Sequence, residues 1–313
     1  MSSPRTHLTA DTPQILRHDC TLCGGCCEGV RVPLFDEAQQ RVANAAGTAL
    51  GIPDAVDGKA LRMVDGRCVF LRPDNRCMIH AELGGHAKPT PCQQFPLVVL
   101  RAEDMIRIAV DPASYGARAS FFEGTPLPDG PLVATHVPVP GGQLGVEQAL
   151  VALCERPGTT TLDILRELTR EADPLEGFAT RWGRRLVESD LHSFIARKGP
   201  GPRLKAGLSI IANGLETPVS APVALPPHLD QWVVEATRRV LLLRLQPSIP
   251  SVAVSALFVV GGGLAAGWFS ASDHEFDHAF TAWMRSLRFD VFWHQLAGDA
   301  PTLHWLATGQ KAD

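Results

Sequence analysis

Residues 20–27 read CTLCGGCC, with thiols at Cys20, Cys23, Cys26 and Cys27 and with Gly24 and Gly25 between the pairs. Three more cysteines follow at Cys68, Cys77 and Cys92, and only Cys154 stands apart from this set. A Cys-x-x-Cys turn directs two sulfurs at one centre, and a Cys-x-x-Cys-x-x-Cys run is a spacing used for iron–sulfur clusters. It also serves zinc, which takes four tetrahedral ligands of Cys or His. Glycine inside the run permits the turns that let successive thiols and backbone N–H groups face one point. Side chains of neighbouring residues diverge, so Cys26 and Cys27 are not expected to ligate the same metal atom. Four of the seven thiols would suffice for one [4Fe–4S] cluster. All seven together with His80, spaced Cys77-x-x-His80, would make two zinc sites. An unligated buried Cys behaves as a small hydrophobe. That reading suits Cys154, alone between Leu153 and Glu155, and does not suit seven thiols so arranged.

The first residues, MSSPRTHLTADTPQ, have no apolar run of the kind a secretory signal needs. The thiols are therefore expected in a reducing, cytoplasmic setting, where a disulfide framework is the poorer reading. With 313 residues the chain can build one large domain or two ordinary ones. A net charge of −4 with 20% charged residues gives no electrostatic footprint for nucleic acid or for an anionic membrane.

Working outward from the cysteines, residues 1–17 read as a polar arm and 18–125 as a cysteine-cluster domain. VRVPLF (Val30–Phe35) alternates like an edge strand, and Asp36 caps a helix running to Ala49. Arg67–Leu71 and Cys77–His80 read as a hairpin about the turn Pro73–Asn75, which would bring Cys68 and Cys77 together. Pro89 and Pro91 place Cys92 in an extended segment. Leu97–Leu100 and Met105–Val110 form a further strand pair. From Asp111 to Gly145 the many Pro and Gly suggest a connection, or a small β-rich apron, between two domains, with the connection at 126–145. Residues 146–313 read as helical. Val146–Glu155 is one helix, and Thr160 with Asp163 makes a capping box ahead of Leu162, Leu165 and Leu168. Gly177–Arg197 buries Phe178, Trp182, Leu186 and Phe194, and His228–Leu245 follows. A last helix, capped by Ser272 and Glu275, buries Phe276, Phe280, Trp283 and Leu287.

The order Cys20, Cys23, Cys26, Cys27, then Cys68, then Cys77-Met78-Ile79-His80, then Pro91-Cys92-Gln93-Gln94-Phe95-Pro96 resembles the CxxCxxCC cysteine-cluster family of zinc- or iron-chelating domains. The resemblance covers about residues 17–110 and includes the flagellin lysine-N-methylases. It implies a metal or cofactor site made by Cys20, Cys23, Cys26, Cys27, Cys68, Cys77 and Cys92. It also implies an iron–sulfur cluster, a protein substrate methylated on lysine, and S-adenosylmethionine as the methyl donor. Where relatives tend to carry Arg, this chain has Lys88-Pro89 and Cys92-Gln93.

Three other stretches compete for function. Gly261-x-Gly263-x-x-Ala266 imitates a dinucleotide phosphate loop, but the position about 20 residues on, where an acid should hold ribose, is Thr281. Leu245–Ser272 carries no charge and has the length of a membrane span. Its prolines, three consecutive glycines and serines fit a buried helix pair with a glycine bend better. His274-Glu275-x-x-His278 spells the zincin motif on one helix face, with His294 or His304 as a third ligand.

The sequence therefore points to an α+β protein: an irregular N-terminal metal-thiolate domain with short strands, followed by an α-helical domain. The expected function is binding of an iron–sulfur cluster, of the [4Fe–4S] type, or of zinc, in a lysine N-methylase-like modifying enzyme. A metal-binding structural or delivery protein and a zinc hydrolase using HEFDH are the alternatives.

Overall fold

The computed structural model describes residues 17–18, 24–29, 31–102, 105–126, 135–136, 141–197, 200–216, 222–246, 249, 251–288, 292, 294, 296, 305 and 306, with Cys26, Ala102, Met105, Thr135 and His136 by their backbone alone. Cys20, Cys23 and most of the expected connection at 126–145 lie outside these residues. The chain divides into two compact units, 1–136 with 198–202 and 137–197 with 203–313. The first carries short antiparallel strands and the second is helical, so the chain is α+β.

In the first unit, α1 (Glu37–Ala49) starts where Asp36 accepts a hydrogen bond from the Gln39 N–H at 2.8 Å. This satisfies one of the orphan donors of the first turn. The helix buries Ala43 and Ala46, small residues that let it lie close to what it covers. Two two-residue hairpins follow, β1 (Val56–Asp57) with β2 (Ala60–Leu61), and β3 (Met63–Val64) with β4 (Arg67–Cys68). Val32–Leu34 runs along β2 through a bridge at Pro33, with Leu61 N–H donating to Val32 O at 3.0 Å and Leu34 N–H to Lys59 O at 2.8 Å. Proline is tolerated there because an edge position asks nothing of its missing N–H. Leu34, Ala43, Ala46, Ala55, Leu61, Cys68, Phe70 and Ile79 close into one buried cluster.

Three local expectations need correction. Residues 77–80 do not form a strand, because only Leu71 and Cys77 bridge and Ile79–Leu83 winds into a π-helical turn. The partner of β4 is β3, reached by the tight turn at Asp65–Gly66, both with positive φ. Cys92 is not extended: α2 (Thr90–Gln94) contains it, and Pro91 sits in the first turn of this helix, where its missing N–H is not needed. The stretch after Asp111 is not all connection, since α3 (Ala117–Glu123) forms within it. The pairing of β5 (Leu97–Ala102) with β6 (Met105–Val110) is as expected, in the register Leu97 to Val110, and β7 (Thr135–His136) lies parallel to β5.

The second unit contains α4 (Leu144–Cys154), α5 (Thr161–Thr169), α6 (Leu175–Glu188), α7 (Leu191–Ala196), α8 (Pro202–Gly214, from Arg203 onward), α9 (Pro227–Leu243), α10 (Val252–Phe269) and α11 (Asp273–Ser286). The capping box at Thr160 and Asp163 is present in both directions. The buried side of α5 is Thr161, Ile164, Leu165 and Thr169, so the expected stripe holds only at Leu165; Leu162 and Leu168 are half-buried. Residues 177–197 form two helices, broken where Asp190 takes φ 50° and caps α7. Phe178, Trp182, Leu186 and Phe194 are nevertheless all buried.

The charge-free stretch carries one helix, α10, continuous through the three glycines, in place of the expected pair with a glycine bend. It packs against α4, α5, α9 and α11. A helix that is apolar on every side belongs inside its protein. Its length and hydropathy would allow it to cross a bilayer, but 72% of it is buried by the rest of the chain. The glycines that suggested a bend serve close approach instead. A methyl on Gly261 would overlap the Trp182 ring, one on Gly262 the Trp283 indole, and one on Gly263 would lie 2.5 Å from Val233 Cγ2. The two tryptophans meet edge to face at 5.8 Å, and Trp283 Nε1–H donates to Phe258 O at 2.9 Å. Glycine mid-helix costs up to ~1 kcal/mol in propensity. Two buried tryptophans bury 150 Å² or more each, roughly 4 kcal/mol apiece at 25 cal/mol per Å², which outweighs that cost. Two buried ion pairs lie inside this unit: Arg244 with Glu147 at 2.8 Å, and Arg239 with Glu235 at 2.6 Å.

Candidate metal centre

The Gly25–Cys27 turn is a single 3-10 turn entered from Gly24, which has φ +70°. Cys27 N–H donates to Gly24 O at 2.9 Å and Glu28 N–H to Gly25 O at 3.3 Å. Neither glycine can carry a side chain. A Cβ on Gly24 would lie 2.8 Å from Asn75 O and 3.0 Å from Leu71 Cδ1, and one on Gly25 would overlap the Tyr115 ring, 2.9 Å from its Cε2. The cysteine turn is therefore packed directly, backbone on backbone, against the turn at 72–76. That turn is closed by Arg72 N–H to Arg76 O at 2.9 Å and Asn75 N–H to Arg72 O at 3.0 Å. Arg67 ties it to β4 by donating to Asn75 Oδ1 at 3.1 Å and Arg72 O at 3.2 Å.

These contacts bring thiol-bearing segments together that are distant in sequence. Glu28 bridges Arg67 in antiparallel register, and Gly29 N–H donates to Gly66 O at 2.7 Å. The same register sets the backbone of Cys27 beside that of Cys68. Leu71, in contact range of Gly24, bridges Cys77, and Met78 N–H donates to Phe70 O at 2.8 Å. Cys92 comes in on α2, where Gln93 Nε2 donates to Lys88 O at 2.6 Å and to His86 O at 3.1 Å. Cys68 belongs to the buried cluster around Phe70, and Cys27, Cys77 and Cys92 pack against that same cluster. These four residues, and Cys154 in the other unit, carry thiols rather than disulfides. His80, the eighth ligand of a two-zinc arrangement, is exposed. Among the described residues no three His, Cys, Asp or Glu side chains converge on one point. The Cys20, Cys23 and Cys26 side chains lie outside them.

The donor chemistry fits a soft or borderline metal. Thiolates select zinc and iron–sulfur clusters over magnesium or calcium. Sequence reasoning missed Asn75, Leu71 and Tyr115, the three residues packed on the glycines. The only trace in the sequence is that Gly24 and Gly25 are adjacent.

The rival sites do not take shape. Gly261–Gly263 lies in mid-helix, where no backbone N–H groups point outward to cradle phosphate. HEFDH does lie on α11, with His274 exposed. There, however, Glu275 Oε2 accepts from Ala271 N–H at 2.7 Å while its own N–H donates to Ser272 Oγ, so the carboxylate caps its own helix. The expected box is displaced by one residue, because the acid takes the Ala271 donor and not that of Ser272. His278 Nε2 lies 3.1 Å from Arg203 O. His294 is exposed, and His304 lies outside the described residues. Cys154 is held by burial with a pKa pushed up to about 12, Arg238 only partly opposing this, which makes it an inert thiol.

Thiols on four separate segments lie in or against one buried cluster. Residues 19–115 match the model of the CxxCxxCC family, described as "Putative zinc- or iron-chelating domain". The match covers the N-terminal third of the chain and is a similarity to that family. No curated protein and no solved structure matches the chain.

Proposed function

We propose that the first unit holds one thiolate centre, an iron–sulfur cluster of the [4Fe–4S] type, built from ligands among Cys20, Cys23, Cys26, Cys27, Cys68, Cys77 and Cys92. The observation that carries this reading is the antiparallel register that sets Cys27 beside Cys68 while Gly24 packs on Leu71, the bridge partner of Cys77. A bound cluster supplies a covalent cross-link between the segments and a one-electron redox centre. The chain's own residues fix the ligand turn: Gly24 and Gly25 by close approach, Arg67 and Asn75 by hydrogen bonds. Thiols rather than disulfides at the described cysteines support a reducing, cytoplasmic location. Methylation of a protein lysine, with S-adenosylmethionine as donor, is the enzymatic extension of this reading, and its support is the order of the seven cysteines.

Anaerobic purification followed by iron, sulfide and zinc analysis tests the centre. The expected result is brown protein with sulfide-matched iron, lost in Cys27→Ser and Cys68→Ser. Colourless protein with zinc lost in the same variants would replace the cluster by a zinc site. Protein without metal, indifferent to both substitutions, would overturn the reading.

A further inference from the structure

We propose that Tyr115, the one tyrosine of the chain, is a positioning residue of the thiolate centre: its ring presses on Gly25 and fixes the turn that carries Cys27. This rests on the metal reading above. The approach is closer than ordinary packing, since the place of a Gly25 side chain is filled by the Tyr115 ring, with Cγ 3.2 Å and Cε2 2.9 Å from a Cβ position. The ring is not loosely placed. Tyr115 leaves the end of β6 through a buried turn in which Asp111 N–H donates to Pro96 O at 2.8 Å, Ala113 N–H donates to Asp111 Oδ1 at 2.9 Å, and Ala117 N–H donates to Ser114 O at 3.0 Å. Asp111 and Ala113 are each 1% exposed. Gly116, at φ 89°, then turns the chain into α3. The β5–β6 hairpin thereby carries an aromatic buttress to the ligand turn, and the phenolic oxygen is buried on a half-buried side chain.

A flat ring on a glycine backbone holds a turn that has no side chain of its own to pack. An aliphatic residue on the same turn would leave the space above Gly25 partly filled and the ligand backbone able to shift. Residues that orient ligands without binding the metal typically change its affinity by about 10–100-fold when lost. The stacking surface and not the hydroxyl does the positioning, so phenylalanine should substitute.

The test uses the full chain loaded with Co(II) after removal of native metal, with affinity and the d–d and sulfur-to-metal bands as readouts. Tyr115→Phe is expected to match the wild type. Tyr115→Leu is expected to bind Co(II) about 10–100-fold more weakly with an altered d–d envelope. Gly25→Ala, which pushes on the same contact from the other side, should do the same. The double variant Gly25→Ala/Tyr115→Leu should regain part of what Gly25→Ala loses. A wild-type spectrum and affinity in Tyr115→Leu, or in Gly25→Ala where the former does not fold, would overturn the inference. Loss of both signals in Cys27→Ser would then show that the metal reading still stands. A wild-type protein that takes up neither Co(II) nor iron overturns the reading and the inference together.

Discussion

Gly24 and Gly51 hold almost the same left-handed backbone, φ +70° and +69°, in the same unit, but their surroundings differ completely. Nothing lies within 4 Å of a Cβ on Gly51, whereas one on Gly24 meets Asn75 O at 2.8 Å and Asn75 Cβ at 2.9 Å. Alanine in this backbone region costs roughly 1–2 kcal/mol at either position. Only Gly24→Ala adds overpacking, roughly 1–3 kcal/mol, because the obstacle is a backbone carbonyl and not the end of a flexible side chain. The expected totals are about 1–2 kcal/mol for Gly51→Ala and about 2–5 kcal/mol for Gly24→Ala. At 1.4 kcal/mol per tenfold, the extra strain falls on the ligand turn as about 5- to 150-fold weaker metal binding. Chelator competition measures the affinity and thermal melting of the metal-loaded protein measures the stability. Gly51→Ala should lower the melting temperature a little and keep wild-type affinity. Equal effects of the two substitutions, or wild-type metal affinity in Gly24→Ala, would refute the claim that the cysteine turn is packed backbone on backbone.

In the helical unit, Gly262→Ala should destabilise by about 2 kcal/mol or more, since overlap with the Trp283 indole and its buried hydrogen bond outweighs the gain in helix propensity; a higher urea midpoint would show that propensity wins. The double variant His274→Ala/His278→Ala should keep the metal content of the wild type, and loss of one zinc would restore the zincin reading. Cys154 should resist iodoacetamide at pH 8 in the folded protein and react after denaturation, because its thiolate is suppressed by burial; rapid labelling of the native chain would contradict this. Hydrogen bonds from the Thr160 side chain and backbone, helped by Arg166, hold the Asp163 carboxyl below its usual pKa. A depressed folded pKa stabilises above the unfolded value of about 3.9 and loses that contribution as pH falls through the folded value. The difference in urea midpoint between wild type and Asp163→Asn should therefore be present at neutral pH and shrink in acid, and a difference unchanged into strong acid would contradict it.

Local rules were legible in the sequence where one residue decides the outcome. Asp36, Thr160 with Asp163, and Ser272 all cap the helices they were expected to cap, because a side-chain oxygen at an N-cap has one nearby partner to satisfy. The β5–β6 pair was legible from two apolar runs joined by a short turn. What failed depended on partners far along the chain. Strand β4 has two candidate neighbours, and periodicity cannot choose between Met63–Val64 and Cys77–His80. Pro91 reads as a helix breaker from its own sequence, yet it sits in a first turn, where proline is at home. The three glycines of α10 looked like a bend because their purpose lies in Trp182, Trp283 and Val233, which sequence proximity does not reveal. At the candidate site the cysteine order is visible in the sequence, whereas the packing of Leu71, Asn75 and Tyr115 on Gly24 and Gly25 is not, because packing against glycine leaves no mark beyond the glycine.

The central claim is that the seven cysteines from Cys20 to Cys92 form a metal-thiolate centre. Mercurial titration of the native, anaerobically purified protein, with released metal recorded alongside, tests it most directly. The account predicts that thiol modification and metal release rise together, and that Cys154 reacts only on denaturation. Complete reaction of the thiols with no metal released would contradict it.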